Sequence, residues 1–278
     1  MERVFASLPL VLYRRYEAEL EGLPCGLELL MDHEALDPSF AAERDAIADA
    51  LAARSVGCRF HAPFRDLTPA GHDPEAVGLA RRRHTAALAV APRFGVTGVS
   101  AHPGWDPGLY GTEHERGVWL ERATAFWAGL GSAAAAAGVT VALENIFDRD
   151  AWALRSLLAA LPAAQFGWLL DLGHWHAYSY DGLMPWLEAL GERLVAVHVH
   201  DNGGRTDDHR ALGAGSLPGD EALAALRSLR RPLDWVLENR SVPDLETSIR
   251  YLADRSGIAE LEAAGARLEK RGARGGRS

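Results

Sequence analysis

The stretch Leu194-Val-Ala-Val-His-Val-His-Asp201 decides how this chain folds. In a strand, successive side chains point to opposite faces. Val195, Val197 and Val199 then share one face, while Leu194, Ala196, His198 and His200 share the other. The valine face suits a layer beneath helices. The opposite face ends in two imidazoles, which an apolar layer does not accommodate. The same division recurs in Val139-Thr-Val-Ala-Leu-Glu144, where Val139, Val141 and Leu143 oppose Thr140, Ala142 and Glu144. Gly98, Ser100 and His102 share a parity, as do Asp234, Val236 and Glu238, and Gly26, Glu28 and Leu30. In each case the bulky parity belongs under helices, and the small and polar parity points into an enclosed interior.

Working outward, eight apolar runs of this kind punctuate the chain: Val4–Leu12, Gly26–Met31, Gly57–Phe64, Val96–Pro103, Val139–Asn145, Phe166–Leu172, Leu194–Asp201 and Leu233–Asn239. They are bounded by Gly, Pro, Asp or Asn, as buried strands are. Helical patterns lie between them: Phe40–Arg54, Glu75–Phe94, His114–Ala137, Arg149–Leu161, Gly182–Leu190, Gly219–Leu229 and Val242–Arg255. Strand and helix alternate with no linker and no repeat, which defines one α/β domain. Eight units over residues 1–260 predict a single (β/α)8 TIM barrel, whose usual size is about 250 residues. A doubly wound sheet is the competing arrangement, but its glycine-rich first turn is replaced by Leu8-Pro9-Leu10.

Composition sets further bounds. Of 278 residues, 48% are apolar and 24% charged, an ordinary balance for a globular chain. Cys25 and Cys58 are the only cysteines, too few for a disulfide framework or a cysteine-rich zinc module. No run is long enough to span a bilayer, and the start Met1-Glu2-Arg3-Val4 has no leader pattern, so a cytoplasmic protein is expected. Lys270 is the only lysine, which removes Schiff-base chemistry and a phosphate-loop lysine from the body. The stretch from Arg267 to Ser278 carries five basic residues against one acid, so the whole-chain charge of −9 leaves −13 elsewhere. Residues 261–278 are expected to be a basic, disordered tail. So acidic a body favours a small-molecule substrate over duplex DNA, whose affinity rests on phosphate contacts.

The strand ends carry the chemistry. Glu28, His61, His102, Glu144, Asp171, His198 and Glu238 fall at or near C-terminal ends, where barrel active sites lie. His174, Asp207 and His209 follow in loops. One inward histidine is ordinarily a satisfied core group, but nine or ten such side chains are too costly to bury unless paired or metal-bound. Imidazole and carboxylate without thiolate fit Zn2+ or Mn2+, and the count allows one to three ions. His176 and His200 read equally as substrate contacts or as groups orienting the ligands. Trp105, Trp168, Trp175 and Trp186 wall a pocket or fill the core. His33, His72, His84 and His114 read as solvent-facing. Gly98-Val-Ser-Ala-His102 is no nucleophile elbow, and His114-Glu115 lacks the second histidine of a zinc-protease helix.

Seven segments together resemble the xylose isomerase-like superfamily, the barrels of the family-2 apurinic endonucleases. They are Phe60-His-Ala-Pro-Phe64, Ala101-His-Pro-Gly104, Leu143-Glu-Asn145, Leu170-Asp-Leu-Gly-His174, His198-Val-His-Asp201, Asp207-Asp-His209 with Leu212-Gly-Ala-Gly215, and Leu237-Glu-Asn239. The resemblance covers roughly residues 20 to 252 and implies two chemistries. Sugar isomerases and epimerases of the group hold one metal, here through Glu144, Asp171, His198 and Glu238, with Glu144 and Glu238 as the proton-transfer pair. Endonuclease IV holds three zinc ions. By that resemblance His61, His102 and Glu144 would hold the first, Glu144, Asp171, His198 and Glu238 the second, and His174, Asp207 and His209 the third. The loops after strands one and eight are shorter than a duplex-gripping nuclease needs, and Glu28 is more like the sugar-processing relatives. With Glu28, His176, His200 and Trp105 as candidate substrate contacts, the expectation is a multi-metal phosphoester hydrolase of a small or nucleotide-like substrate. A one-metal sugar or sugar-phosphate isomerase or epimerase is the alternative, and a non-enzymatic metal-binding barrel is a third reading.

Overall fold

A computed structural model describes residues 3–257 and 259–275. Eight parallel strands close into a barrel in chain order: β1 (Arg3–Pro9), β2 (Gly26–Leu30), β3 (Cys58–His61), β4 (Gly98–Ala101), β5 (Thr140–Glu144), β6 (Phe166–Asp171), β7 (Leu194–Val199) and β8 (Asp234–Leu237). β8 pairs back onto β1, Val4 beside Trp235. The pairing slips once, between Trp168 and Leu169 against β7. The single (β/α)8 TIM barrel is therefore the fold, and each expected run holds one strand.

The bulky parity of each strand joins the helices in one continuous core, with Leu29, Phe60, Val99, Leu143, Trp168, Val197 and Trp235 buried in it. The helices are α1 (Tyr13–Leu20), α2 (Ala41–Ala53), α3 (Pro74–Val90), α4 (Glu113–Ala128), α5 (Gly131–Ala137), α6 (Trp152–Ala159), α7 (Leu172–Tyr178), α8 (Leu183–Leu190), α9 (Gly219–Ser228), α10 (Val242–Arg255) and α11 (Ala259–Gly275). None among the described residues is long and apolar enough to cross a membrane.

Three expectations need correction. The pattern His114–Ala137 is two helices, parted around Gly129 and Gly131, and the first starts one residue earlier because Thr112 and Glu115 form a reciprocal capping box. The tail is not disordered from residue 261: α11 docks through Leu261, Ala264 and Leu268, each at most 1% exposed. Their i, i+3, i+7 spacing is the helical signal that the basic composition masks. The last three residues lie outside the described residues. His84 is buried rather than solvent-facing. Its Nδ1 donates to the Ala80 carbonyl at 2.8 Å, and burial against Phe126 and Trp127 pushes its pKa down to about 4.

Inside the barrel, Ala142, Leu169 and Ala196 form a small separate apolar cluster. Most of the remaining interior is polar. Arg59, on β3, runs across the barrel at 2% exposure. It donates to Glu28 Oε2 at 3.1 Å, to Ser100 Oγ at 3.2 Å and to the Asp234 carboxylate. Asp234 is gripped from the bottom rim by Arg3, at 2.8 and 2.7 Å. Gly98 lines this passage because a Cβ there would collide with the Arg59 guanidinium. A column of alternating charge thus fills the barrel from its base to the layer beneath the strand ends.

Candidate metal centre

Six of the eight strand ends, those of β3 to β8, present a polar residue to one shared region. His61 closes β3, Glu144 closes β5, Asp171 closes β6, and His198 lies one residue before the end of β7. His102 and Glu238 stand one residue beyond β4 and β8. Glu144 is the hub. Its Oε2 lies 3.3 Å from His61 Nε2 and 3.5 Å from His102 Nε2, and its Oε1 lies 3.3 Å from His174 Nδ1 and 3.5 Å from His198 Nδ1. His198 Nδ1 also faces Asp171 at 3.7 Å and Glu238 at 3.3 Å.

Local structure aims the loop-borne members. Asp171 caps α7 by accepting the His174 N–H at 2.7 Å, which starts the helix and brings the His174 ring back over the barrel. The long β7–α9 connection is held by Asp201, whose carboxylate accepts the N–H groups of Asn202, Gly213, Gly215 and Leu217 at 2.8–3.0 Å. That bond set accounts for the Leu212-Gly-Ala-Gly215 segment. On the same connection, Asp207 Oδ2 lies 2.9 Å from His209 Nε2 and 3.4 Å from His174 Nε2. His209 adopts a left-handed backbone (φ 53°), a strained conformation that the surrounding loop imposes.

Hydrogen bonds to backbone carbonyls select which nitrogen of each ring is bare. His61, His174 and His209 each donate Nδ1–H to a backbone carbonyl, of Ala62, Asn145 and Glu238, at 2.8, 3.0 and 2.8 Å. In the neutral ring this leaves the Nε2 lone pair facing Glu144 or Asp207. Lone pairs aimed at carboxylates repel unless a proton or cation lies between them. Glu144 Oε2, His198 Nδ1, His200 Nδ1 and Asp207 Oδ1 are buried with no hydrogen-bond partner. Five groups of three donors have ligand atoms within 4.8 Å of one another, among them His61–His102–Glu144, Glu144–Asp171–His198 and Asp171–His174–His200. The donor set fits a divalent cation.

The electrostatics agree. Burial pushes the Glu144 carboxyl up, but His198, His174 and His61 hold it well below the usual carboxylate range. Asp171 and Asp207 are lowered in the same way, against their burial, chiefly by His174. His102, half-buried at the cavity wall beside other imidazoles, is pushed down to about 3, mainly by burial. His209 is raised to about 9: burial opposes this, and Asp207 and Glu238 outweigh it.

The nine expected ligands thus converge on one mouth. Of the four expected substrate contacts, Glu28, Trp105 and His176 do not. Glu28 is fully buried beneath His198. Trp105 is 7% exposed and packs on Tyr110, Trp119 and Trp152. His176 bonds Ser216 Oγ at 3.0 Å on the loop surface. None of these three lines the main cavity. His200 is buried in the donor cluster, 3.2 Å from Asp171 and stacked on His209 at 4.1 Å, over Gly173, where a Cβ would strike its ring. Asn145, which no motif flagged as structural, ties β5 to β6 by exchanging two 2.9 Å bonds with the Asp171 backbone.

A cavity of ≈ 650 Å³ opens above the cluster. His61, His102, Glu144, His174, Asp207, His209 and Glu238 form its polar end, and Leu8, Leu12, Leu30, Ile146, Val242 and Leu245 its apolar wall. A closed parallel barrel with a carboxylate–imidazole cluster at its C-terminal mouth defines a class of metal-centre barrels. The chain belongs to the xylose isomerase-like TIM barrel family, whose model matches residues 25–255. It is similar to the TTHB071 protein from Thermus thermophilus, a structure from crystals soaked with ZnCl2, at 30% identity and TM-score 0.74, covering 92% of this chain and 98% of that one. A D-tagatose 3-epimerase-like protein shares the fold at 20% identity and TM-score 0.77, covering 96% and 99%. An uncharacterised protein of Methanocaldococcus jannaschii, MJ1311, is 24% identical over 73% of this chain and 71% of its own length.

Proposed function

We propose that the chain is a divalent-metal-dependent epimerase or isomerase of a sugar or closely related hydroxy-ketone. The observation that carries this is that Glu144 and Glu238, from strands three apart, both face His198 Nδ1 at 3.5 and 3.3 Å and both open onto the cavity. The fold shared with the tagatose 3-epimerase-like protein supports it. Glu144, Asp171, His198 and Glu238 would hold the cation. Bound there, a divalent ion supplies Lewis acidity toward a carbonyl oxygen and its developing negative charge.

The chain's own residues supply the proton chemistry. Surrounding imidazoles keep Glu144 ionised, so it enters as a base and removes the proton from the carbon beside the carbonyl. The electron pair passes into the carbonyl system. Glu238 delivers to the opposite face a proton drawn from water at the cavity mouth, which inverts the centre, and Glu144 releases the proton it took to the same water. His102 is neutral at working pH, so its bare ring nitrogen accepts from a substrate hydroxyl. Leu8, Leu12, Ile146 and Leu245 keep bulk water off the reacting carbon.

The triads His61–His102–Glu144 and Asp171–His174–His200 favour a second reading, a multi-metal phosphoester hydrolase. One experiment separates the two. Protein purified without chelator is analysed for metal, then incubated in D2O with a panel of ketopentoses and ketohexoses and, separately, with bis(p-nitrophenyl) phosphate. Epimerisation gives about one metal equivalent and deuterium at the inverted carbon, abolished in Glu144→Gln and Glu238→Gln. Two or three equivalents, with phosphodiester cleavage and no exchange, establish the hydrolase instead.

A further inference from the structure

We infer that Glu28 is the positioning residue of the centre: held by Arg59 and Ser100, it fixes His198 so that Nδ1, and not Nε2, is the metal donor. The inference rests on reading the cluster as a metal centre and is indifferent to which reaction that centre performs.

His61, His174 and His209 have their tautomers set by backbone carbonyls and offer Nε2 to the cluster. His198 is turned the other way. Its Nδ1 faces Glu144, Asp171 and Glu238 and has no hydrogen-bond partner. Its Nε2 points down the barrel, 3.0 Å from Glu28 Oε1 and 3.4 Å from Ser100 Oγ. The Ser100 hydroxyl is committed as a donor to Glu28 Oε2 at 2.7 Å, so it offers Nε2 only a lone pair. Both neighbours of Nε2 are therefore acceptors, and Nε2 carries the hydrogen. In the neutral ring Nδ1 is then bare and aimed at three carboxylates, as a ligand must be.

Glu28 has no freedom to do otherwise. It is 0% exposed, and Arg59 Nε and Ser100 Oγ both donate to Oε2, which leaves Oε1 for His198. The Arg59 charge is shared with Asp234, and Asp234 with Arg3 at the barrel base. Two arginines and two carboxylates make the column electrically neutral. The Glu28 charge is thus balanced within the column rather than left over for a cation. It acts by placing Oε1, an acceptor with no other partner, 3.0 Å from Nε2.

Glu28→Gln tests this, because shape is retained while the demand on Nε2 inverts. Arg59 and Ser100 both donate, so the glutamine oxygen turns toward them and its NH2 turns toward Nε2. The ring hydrogen is then driven to Nδ1, where it blocks the cation. Zn2+ affinity is measured by competition with a chromophoric chelator, alongside the melting of the metal-free proteins. Zn2+ binding is expected to weaken by about 10–100-fold, the usual cost of losing a ligand's orienting partner, in a variant that still folds. An affinity within twofold of wild type overturns the proposal, and Glu28 is then only a counter-charge for Arg59. Should Glu28→Gln not fold, the zinc-loaded wild type decides: 15N spectra of its histidine rings must place the His198 hydrogen on Nε2, and a hydrogen on Nδ1 refutes the inference. If wild type takes up no Zn2+, the metal-centre reading itself fails and carries the proposal with it. A wild type that binds while Glu28→Gln matches it sinks the role of Glu28 alone.

Discussion

Asp148 sits in the turn after β5 that carries Ile146 and Phe147 to the cavity rim, and its replacement by asparagine has a calculable consequence. The residue is 2% exposed; its Oδ2 accepts the Ile146 N–H at 2.9 Å, while Oδ1 has no partner. Burial, with Asp150 nearby, pushes its carboxyl from 3.8 up to about 7. A folded-state value above the unfolded one makes the group's contribution fully present below the unfolded pKa. That contribution is lost as pH rises through about 7. Roughly three pH units at about 1.4 kcal/mol each put the loss near 4 kcal/mol. Asparagine keeps the acceptor for Ile146 and never ionises. The difference in stability between Asp148→Asn and wild type should therefore rise steadily between pH 4 and 7 and level off above pH 8. At about 2–4 °C per kcal/mol, the Tm gap should widen by about 8 °C or more. Both proteins are melted in the same metal-free buffers from pH 4 to 8.5, since bound metal adds its own pH dependence. Two Tm curves that run parallel across that range would refute the reasoning and show Asp148 ionised or solvated in the folded state.

The double change Asp207→Ala, His209→Ala should leave the far-ultraviolet circular dichroism of the barrel unchanged and, if the His174–Asp207–His209 group binds an ion, lower metal content by one equivalent; unchanged content removes that group from the centre. Leu268→Ala, at a position 1% exposed on α11, should cost about 2–5 kcal/mol and lower the Tm, whereas a disordered tail predicts no change.

The barrel was legible because its strands are covered on both faces. A strand under helices outside and a polar column inside must show one bulky parity and one small or polar parity, and Leu194–Val199 and Thr140–Glu144 do so without ambiguity. Nine candidate ligands were legible for the same reason: at the end of a buried strand a carboxylate or imidazole has no bland explanation. What escaped is whatever depends on side chains meeting across the barrel. Arg59 is one basic residue in an apolar run until Glu28, Ser100 and Asp234 are brought to it from three other strands.

The same limit explains why the sequence points to Glu28 as a substrate contact. Parity says that its side chain points inward, and that much holds. Parity does not say at what height an inward residue sits, because height follows from the tilt and stagger of the strands. Glu28 pairs in register with Ser7 and Arg59, a layer below His61 and Ser100, so it meets the underside of His198 and never reaches the cavity. His200 errs in the opposite direction. It is two residues beyond His198 on the same parity, one layer higher, and that extra height lifts it into the donor cluster between Asp171 and His209. A sequence read strand by strand thus identifies which residues enter the barrel, while the stagger between strands assigns each of them to the column that orients the centre or to the ring of donors that would hold the ion.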